Sequence, residues 1–310
     1  MGKREGAEVE FDLEESLLGP LLLSRSTVNR SSALRADTTW LERVWRDPRT
    51  RVVPIENGRT LVRRNAGSTA LVLLTPEQAP EGERYLLGVD DDGTAYYAVS
   101  APLSPVDDAE PADLRQVGAL LGDRDAGLLV YAVALEAWHA THEYCPRCGS
   151  RTEVGLEGHT RICPRDDSQH FPRIDPAVIM LIHDADDRCL LARGRGWPER
   201  RFSILAGFVE PGESLEQAVI REVAEEVGVA VTAPQYLGSQ PWPFPRSLML
   251  GFFARAVSTE LNCDPAEIAE ARWVSRADLK AQVGNGEIIL PGELSIAHRL
   301  IERWYGERLP

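Results

Sequence analysis

The stretch Gly207–Val229, GFVEPGESLEQAVIREVAEEVGV, constrains this chain more than any other. A glycine opens it, Glu213 follows after a short loop, and Arg221-Glu222 and Glu225-Glu226 then stand ahead of Gly228. Ser214 is a good N-cap and Gln217 completes a capping box, so the spacing predicts a helix that begins close to Ser214. Gly228 sits where a left-handed C-terminal cap is expected. Leu215, Val219, Val223 and Val227 recur every four residues and supply the stripe that such a helix buries. Glu222 and Glu226 lie one above the other beside that stripe, and Glu225 joins them at a spacing of three.

Like charges stacked in this way repel, so the segment is locally frustrated unless a cation sits among them. Arg221 can relieve Glu225, but Glu222 and Glu226 need something else. Grouped hard oxygen ligands suit magnesium or manganese. A solvated acidic face is the ordinary fate of a charge run; the glycine-bounded loop, the spaced Glu213 and the REVAEE block argue for a site instead. At Gly207, Glu213, Arg221, Glu222, Glu225, Glu226 and Gly228 the chain resembles the Nudix hydrolases, matching every position that defines their box. The resemblance implies cleavage of the pyrophosphate of a nucleoside diphosphate linked to another group, with divalent metal held by box glutamates. It leaves the substrate open.

At 310 residues the chain can bury a sizeable core, and two domains plus a small module are expected. Its formal net charge of −14 argues against a general DNA binder or a membrane-surface protein, which would carry a basic footprint. The N-terminus MGKREGAEVEFDLEE lacks the apolar core of a signal peptide, and Gly6 stands where a myristoylation signal wants Ser or Thr. The longest apolar run, Gly127 to Trp138, is too short to span a bilayer and contains Glu136. Five cysteines in a chain of this length read as metal ligands or free thiols rather than a disulfide framework, so a cytoplasmic protein is expected.

Residues 1–140 read as an N-terminal α+β domain without a chemical motif. Beyond Leu17-Leu18 and Leu21-Leu22-Leu23 the first thirty residues are poorly patterned, and strands are predicted at 69–74, 84–89 and 95–99. Helices are predicted over 112–121 and 126–142. Residues 141–173 form a small module. Cys145-Pro146-Arg147-Cys148-Gly149 is a Cys-x2-Cys knuckle, and Cys163 begins a second after fourteen intervening residues. Such paired knuckles present four ligands to a structural, tetrahedral zinc. Asp166 occupies the place of the fourth thiol; it is a harder ligand than Cys, with His170 and His159 as alternatives. Cys189 falls in a strand pattern as a buried apolar residue, and Cys263 reads as an incidental free thiol.

Residues 174–310 carry the catalytic pattern, with strands predicted at 177–182, 189–192, 203–206, 248–256 and 271–274. Helices are predicted over 277–283 and 293–305 in addition to the box helix. Ser239-Gln240-Pro241-Trp242-Pro243-Phe244-Pro245-Arg246-Ser247 follows the box. Three prolines alternating with aromatics exclude a regular helix or central strand and predict a stiff extended loop.

Placed after the box, SQPWPFPRS resembles the signature of the NADH pyrophosphatase branch of Nudix hydrolases, whose members also remove NAD caps from RNA. The resemblance covers about the C-terminal half: the knuckles, the linker Phe171-Pro172-Arg173, the box and this loop. It implies an α/β (α+β) protein with a C-terminal Nudix α/β/α sandwich, a diverged N-terminal domain and a zinc ribbon between them. It further implies that the metal is held by Glu222, Glu226, Glu267 and the carbonyl of Ala206, with Glu225 as a further ligand or base; Glu225, Glu226 and Glu267 are all candidates for the general base. Ser239, Gln240, Pro241, Trp242, Pro243, Phe244 and Pro245 would line the dinucleotide site, with Ala297. Phe208 and Phe171 of a second subunit would sandwich the nicotinamide, which implies a homodimer. Phe171 replaces a tyrosine common in the family, keeping the stacking face without the hydroxyl. Glu213 and Arg221 would brace the loop against the helix. Glu270 is a weaker candidate ligand, one turn beyond Glu267 if that segment is helical. The implied reaction takes NAD(H) to NMN(H) and AMP, and NAD-capped RNA to NMN and 5′-monophosphate RNA. A Nudix enzyme acting on ADP-ribose or an oxidised triphosphate, and a non-catalytic nucleotide sensor, are the competing readings.

Overall fold

In the N-terminal domain, Val52, Val53, Pro54 and Ile55 are all buried, because their strand lies between two apolar layers. The computed structural model describes residues 17–309; the reading of the first fifteen residues falls outside them. Strands β1 (Arg51–Glu56), β2 (Arg59–Asn65), β3 (Ser68–Leu71), β4 (Glu83–Val89), β5 (Ala95–Ser100) and β6 (Glu110–Asp113) form one sheet. Its order is β3-β2-β1-β5-β4, with β6 pairing β2. Helix α1 (Thr38–Trp45) packs Leu41 and Val44 against Val52, Leu86 and Tyr97 on one face. After the short α2 (Leu114–Val117), helix α3 (Asp123–Thr141) packs Leu128, Leu129 and Leu135 against Val53, Ile55 and Tyr85 on the other. Asn57-Gly58 turns β1 into β2 with φ of 51° and 74°, and buried Glu136 of α3 accepts both turn amides at 2.8 and 2.6 Å.

The helix predicted over 112–121 is corrected. Glu110–Asp113 extends the sheet and only Leu114–Val117 is helical, with Asp113 as its N-cap in a capping box. Pairing to β2 takes the residues that helix periodicity alone would claim.

The small module is a three-stranded sheet, β7 (Glu153–Gly155), β8 (Thr160–Ile162) and β9 (Gln169–His170). Arg161 buries its guanidinium against Thr152 and the ring of His139 on α3, and His139 Nε2 meets the carbonyl of Gly158 at 2.8 Å. His159 points away from the knuckles. Its Nε2 lies 2.8 Å from the Leu86 carbonyl, and burial pushes its pKa down to about 4, so it is a neutral tie between module and sheet and not a fourth ligand.

The C-terminal domain follows: β10 (Asp175–His183), β11 (Cys189–Gly194), β12 (Leu205–Phe208), helix α4 (Leu215–Val227), β13 (Val231–Trp242), β14 (Ser247–Ala256), β15 (Ile268–Val274), α5 (Arg276–Gly284) and α6 (Ile296–Tyr305). The sheet runs β13-β14-β10-β11-β15, with β12 pairing β10 and β10 parallel to β14. Strand β10 sends Val178, Met180 and Ile182 to α4, and Ile179 and Leu181 to α6, so the sheet lies between helices. Leu18 and Leu21 pack into the α6 side of this core while Leu23 packs into the N-terminal core, so one short segment straps the two domains together. Among the described residues no helix is long and apolar enough to cross a membrane.

Two further expectations change. The segment after the box is not one extended loop. Ser239–Trp242 completes β13, and only Pro243–Arg246 turns. Strand β13 is an edge, bonded to β14 alone, so Pro241 forfeits no ladder to a second neighbour. Glu270 lies on β15 rather than on a helix, and its carboxylate is held by Arg272 at 2.6 Å and Arg193 at 3.6 Å, which removes it as a ligand candidate.

Candidate active site

The box folds locally as its residues dictate. Ser214 Oγ accepts from the amide of Gln217 while the Gln217 side chain accepts from the amide of Ser214, and Gly228 closes α4 at φ 72°. Val219, Val223 and Val227 are fully buried and Leu215 is partly so. Arg221 is the hub. Its Nε and Nη2 bond the two oxygens of Glu213 at 2.8 and 2.9 Å, and Nη2 also donates to the Phe208 carbonyl at 2.9 Å. Nη1 reaches both Glu222 at 2.9 Å and Glu225 at 3.0 Å. Arg221 thus relieves Glu222 as well as Glu225. Hydrogen bonding to Arg221 lowers the Glu213 pKa, so this loop brace stays charged.

Glu226 is different. It is 8% exposed, and its Oε2 is buried without a hydrogen-bond partner among the described residues. Burial first, then the charges of Glu222 and Glu267, push its pKa up to about 8. Glu222 is raised too, burial again being the main cause. Glu267 is exposed and rides on a turn anchored to the end of α4, where the amide of Asp264 donates to the Glu226 carbonyl at 3.0 Å and the amide of Glu267 to the Asp264 carbonyl at 3.2 Å. Gly207 is required for close approach, because a Cβ there would stand 1.9 Å from the Glu222 carboxyl carbon. A buried, orphaned carboxylate oxygen among acidic neighbours fits a hard divalent cation. The carboxylates do not yet converge: among the described residues the only group of three or more potential ligands within 4.8 Å of one another is Cys145, Cys148, Cys163 and Asp166. Arg221 draws Glu222 and Glu225 onto itself.

That second group is a matched pair of knuckles. The amides of Gly149 and Asp167 donate to the carbonyls of Cys145 and Cys163 at 2.9 and 3.0 Å. The amides of Cys145 and Cys163 donate to the carbonyls of Ser150 and Ser168 at 2.8 and 2.9 Å, so Asp166 is the structural counterpart of Cys148. The Ser168 hydroxyl, 2.5 Å away, holds the Asp166 carboxyl down at about 2, ionised and ready to ligate. Three thiols and a carboxylate suit structural zinc. His170 meets Ser168 at 3.2 Å instead of joining them.

The residues expected to bind substrate are divided among three hollows. Ala206, Trp242 and Ala297 line one cavity of about 420 Å³ together with Ile179, Met249 and Arg201. Pro243, Phe244 and Pro245 face a larger cleft toward the N-terminal domain, and Phe171 and Pro241 face a third. Gln240 is buried and donates to the Leu294 carbonyl at 3.0 Å, and the Ser239 carbonyl accepts from Ser24 at 3.2 Å, so both brace the strand. Phe208 and Phe171 are 60% and 64% exposed; Phe171 borders the third of these hollows and Phe208 lines none of the three. Sequence reasoning missed Arg115, which lines the Trp242 cavity and places its guanidinium 3.8 Å over the Phe244 ring. It comes from the N-terminal domain, and no local pattern marks it.

The sheet between helices, the glycine loop bound to a carboxylate-bearing helix and the cavity lined by Ala206 agree with the resemblance to Nudix hydrolases drawn from the sequence. The NUDIX domain model matches residues 173–290, the NADH pyrophosphatase-like rudimentary NUDIX domain matches 49–138, and the NADH pyrophosphatase zinc ribbon domain matches 140–171. The chain is 41% identical over 303 residues to the NAD-capped RNA hydrolase NudC of Mycobacterium bovis (strain BCG / Pasteur 1173P2), covering 91% of this chain and 94% of that protein. It is 42% identical over 196 residues to the NAD-capped RNA hydrolase NUDT12 of Homo sapiens, which spans 59% of this chain and 42% of that one. Among solved structures, a NUDIX hydrolase from Nitrosomonas europaea aligns at TM-score 0.43 and 20% identity over 54% of this chain and 94% of its own. The chain belongs to the NADH pyrophosphatase and NAD-capped RNA hydrolase family of Nudix hydrolases.

Proposed function

We propose that this protein hydrolyses NAD(H) to NMN(H) and AMP and removes the NAD cap from RNA 5′ ends, leaving NMN and 5′-monophosphate RNA. The observation that carries the chemistry is the orphaned, buried Glu226 oxygen beside Glu222 and within the field of Glu267. The cavity that Ala206, just ahead of the box, shares with Trp242 of the SQPWPFPRS segment, together with the family, carries the substrate. In this reading Glu222, Glu226, Glu267 and the Ala206 carbonyl hold Mg²⁺ or Mn²⁺, with Glu225 as a further ligand. The metal supplies positive charge against the pyrophosphate oxygens and acidifies water. Arg221 keeps the loop and Glu222 in register. Water adds in line to one phosphorus as the bridging P–O bond breaks, and its proton passes to an acidic side chain of this cluster. Glu225, Glu226 and Glu267 are the candidates to take it; the exposure of Glu225 and Glu267 supports those two, with Glu226 as a buried anchor.

Trp242, Ala206 and Ala297 bind the dinucleotide in their shared cavity. The exposed rings of Phe208 and Phe171 support a homodimer in which Phe171 of one subunit completes the nicotinamide sandwich of the other. Zinc on Cys145, Cys148, Cys163 and Asp166 is structural, and thiols grouped as metal ligands suit the reducing interior expected of a cytoplasmic enzyme. Glu226→Gln tests the chemistry. Turnover should fall about 10²-fold or more while NADH binding persists; a variant that hydrolyses NADH at the wild-type rate would refute the assignment.

A further inference from the structure

A second cleft shares Trp242 with the dinucleotide cavity, and its charge runs against that of the whole molecule. In a chain of formal net charge −14, this cleft of about 420 Å³ is lined by Arg30, Arg35, Arg173 and Arg246 and by no Asp or Glu. Arg173 and Arg246 are partly neutralised by Asp175 at 2.6 and 2.8 Å. Arg30 and Arg35 have no acidic partner among the described residues, and groups without charge hold them in place. The Arg30 guanidinium lies 4.1 Å over the ring of Tyr131. Arg35 Nη2 donates to the Tyr131 hydroxyl at 3.3 Å and to the Arg30 carbonyl at 3.2 Å. The Tyr131 hydroxyl in turn meets Nδ1 of His159 at 3.1 Å, and since His159 Nε2 is committed to the Leu86 carbonyl, the tyrosine is the donor there. Among the described residues the positive charge is therefore positioned without being cancelled. The Trp242 indole borders the same cleft.

Fixed guanidinium groups suit a single-stranded polynucleotide, whose phosphates pair with arginine. Trp242 borders both this cleft and the dinucleotide cavity, and that adjacency favours such an occupant over an acidic peptide. Resting on the NAD-cap reading above, we propose that this cleft holds the sugar-phosphate backbone of the first nucleotides after the cap, with Arg30 and Arg35 on phosphates. Free NADH has no such phosphates, so the cleft is a specificity device for capped RNA.

The test compares NADH with NAD-capped RNA oligomers of increasing length on the wild type, R30A/R35A and R30K/R35K. For the wild type, kcat/KM should rise over the first two or three added nucleotides and then level off. R30A/R35A should leave NADH hydrolysis intact, which also reports that the variant is folded, while kcat/KM for capped RNA falls about tenfold. Its log–log salt slope on capped RNA should shrink by about 1.4, since each single-strand phosphate contact accounts for roughly 0.7. R30K/R35K, which keeps the charge, should retain most of the slope. Capped-RNA kinetics unchanged in R30A/R35A, or reduced in the same proportion as NADH, would overturn the cleft assignment and leave the enzyme reading standing. A wild type that cleaves NADH but shows no dependence on RNA length would also overturn it. Failure on both substrates would remove the enzyme reading and this one with it.

Discussion

Glu226 and Glu222 share a helix face but differ in what balances them. Arg221 donates to Glu222, whereas Glu226 keeps one buried oxygen unpaired. The folded-state pKa of Glu226, about 8, stands above its ordinary 4.5, so the folded chain binds more protons than the unfolded one between those values. Its contribution to stability is present in full below about pH 4.5 and is lost as pH rises through about 8. Metal-stripped protein should accordingly lose several degrees of Tm across that window, Glu226→Gln should flatten the trend, and Mg²⁺ should restore Tm at the alkaline end. A Tm profile that is the same with and without the Glu226 carboxylate would contradict this. Gly207→Ala makes a sharper demand, since its Cβ would occupy the space of the Glu222 carboxyl. Turnover should fall by about 10²-fold or more with the fold retained by circular dichroism; near-normal kcat would show that Glu222 can move aside at no cost. These spacings were legible in the sequence. The Arg221 contact to Glu222 was not, because an adjacent pair is no helical neighbour by spacing alone and depends on how the arginine bends back from Glu213.

At the scale of elements, α4 was readable to its caps because every signal that fixes it is local: Ser214, Gln217, the valine stripe and Gly228. Ser214→Ala should cost about 1 kcal/mol and lower Tm by a few degrees, measured by calorimetry with metal bound. No change would mean that tertiary packing alone sets the start of the helix. The strands β1 and β2 were missed for the opposite reason. Arg51–Glu56 is buried through Val52 to Ile55 and contains Pro54, so it shows no alternation, and Arg59–Asn65 ends in exposed Arg63, Arg64 and Asn65. What makes them strands is pairing with β5, β3 and β6, which lie elsewhere in the chain. The Ser239–Trp242 portion of β13 escaped similarly: its prolines read as a loop until the sheet order shows that this strand has only one neighbour.

For the whole molecule, the loop proposed to bind substrate is built between domains. Arg115 of the N-terminal domain stacks on Phe244, and the segment around Leu18 to Leu23 is anchored in both cores. The box, the knuckles and the SQPWPFPRS motif were visible in sequence; these inter-domain contacts were not, since they join residues separated by more than a hundred positions. The module between the domains carries its own prediction. Asp166 is a harder ligand than the thiol it replaces, so zinc measured by mass spectrometry under chelator challenge should leave wild type about tenfold faster than Asp166→Cys. Equal release would mean that Asp166 does not ligate. The central claim is tested most directly by product analysis of purified protein given NADH, NAD-capped RNA and ADP-ribose in parallel with Mg²⁺ or Mn²⁺, with Glu226→Gln as control. NMNH with AMP, NMN released from a cap that leaves 5′-monophosphate RNA and little action on ADP-ribose are expected, with these products formed about 10²-fold or more slowly by the variant. Preferential cleavage of ADP-ribose, or no metal-dependent turnover of NADH or capped RNA, would contradict that claim.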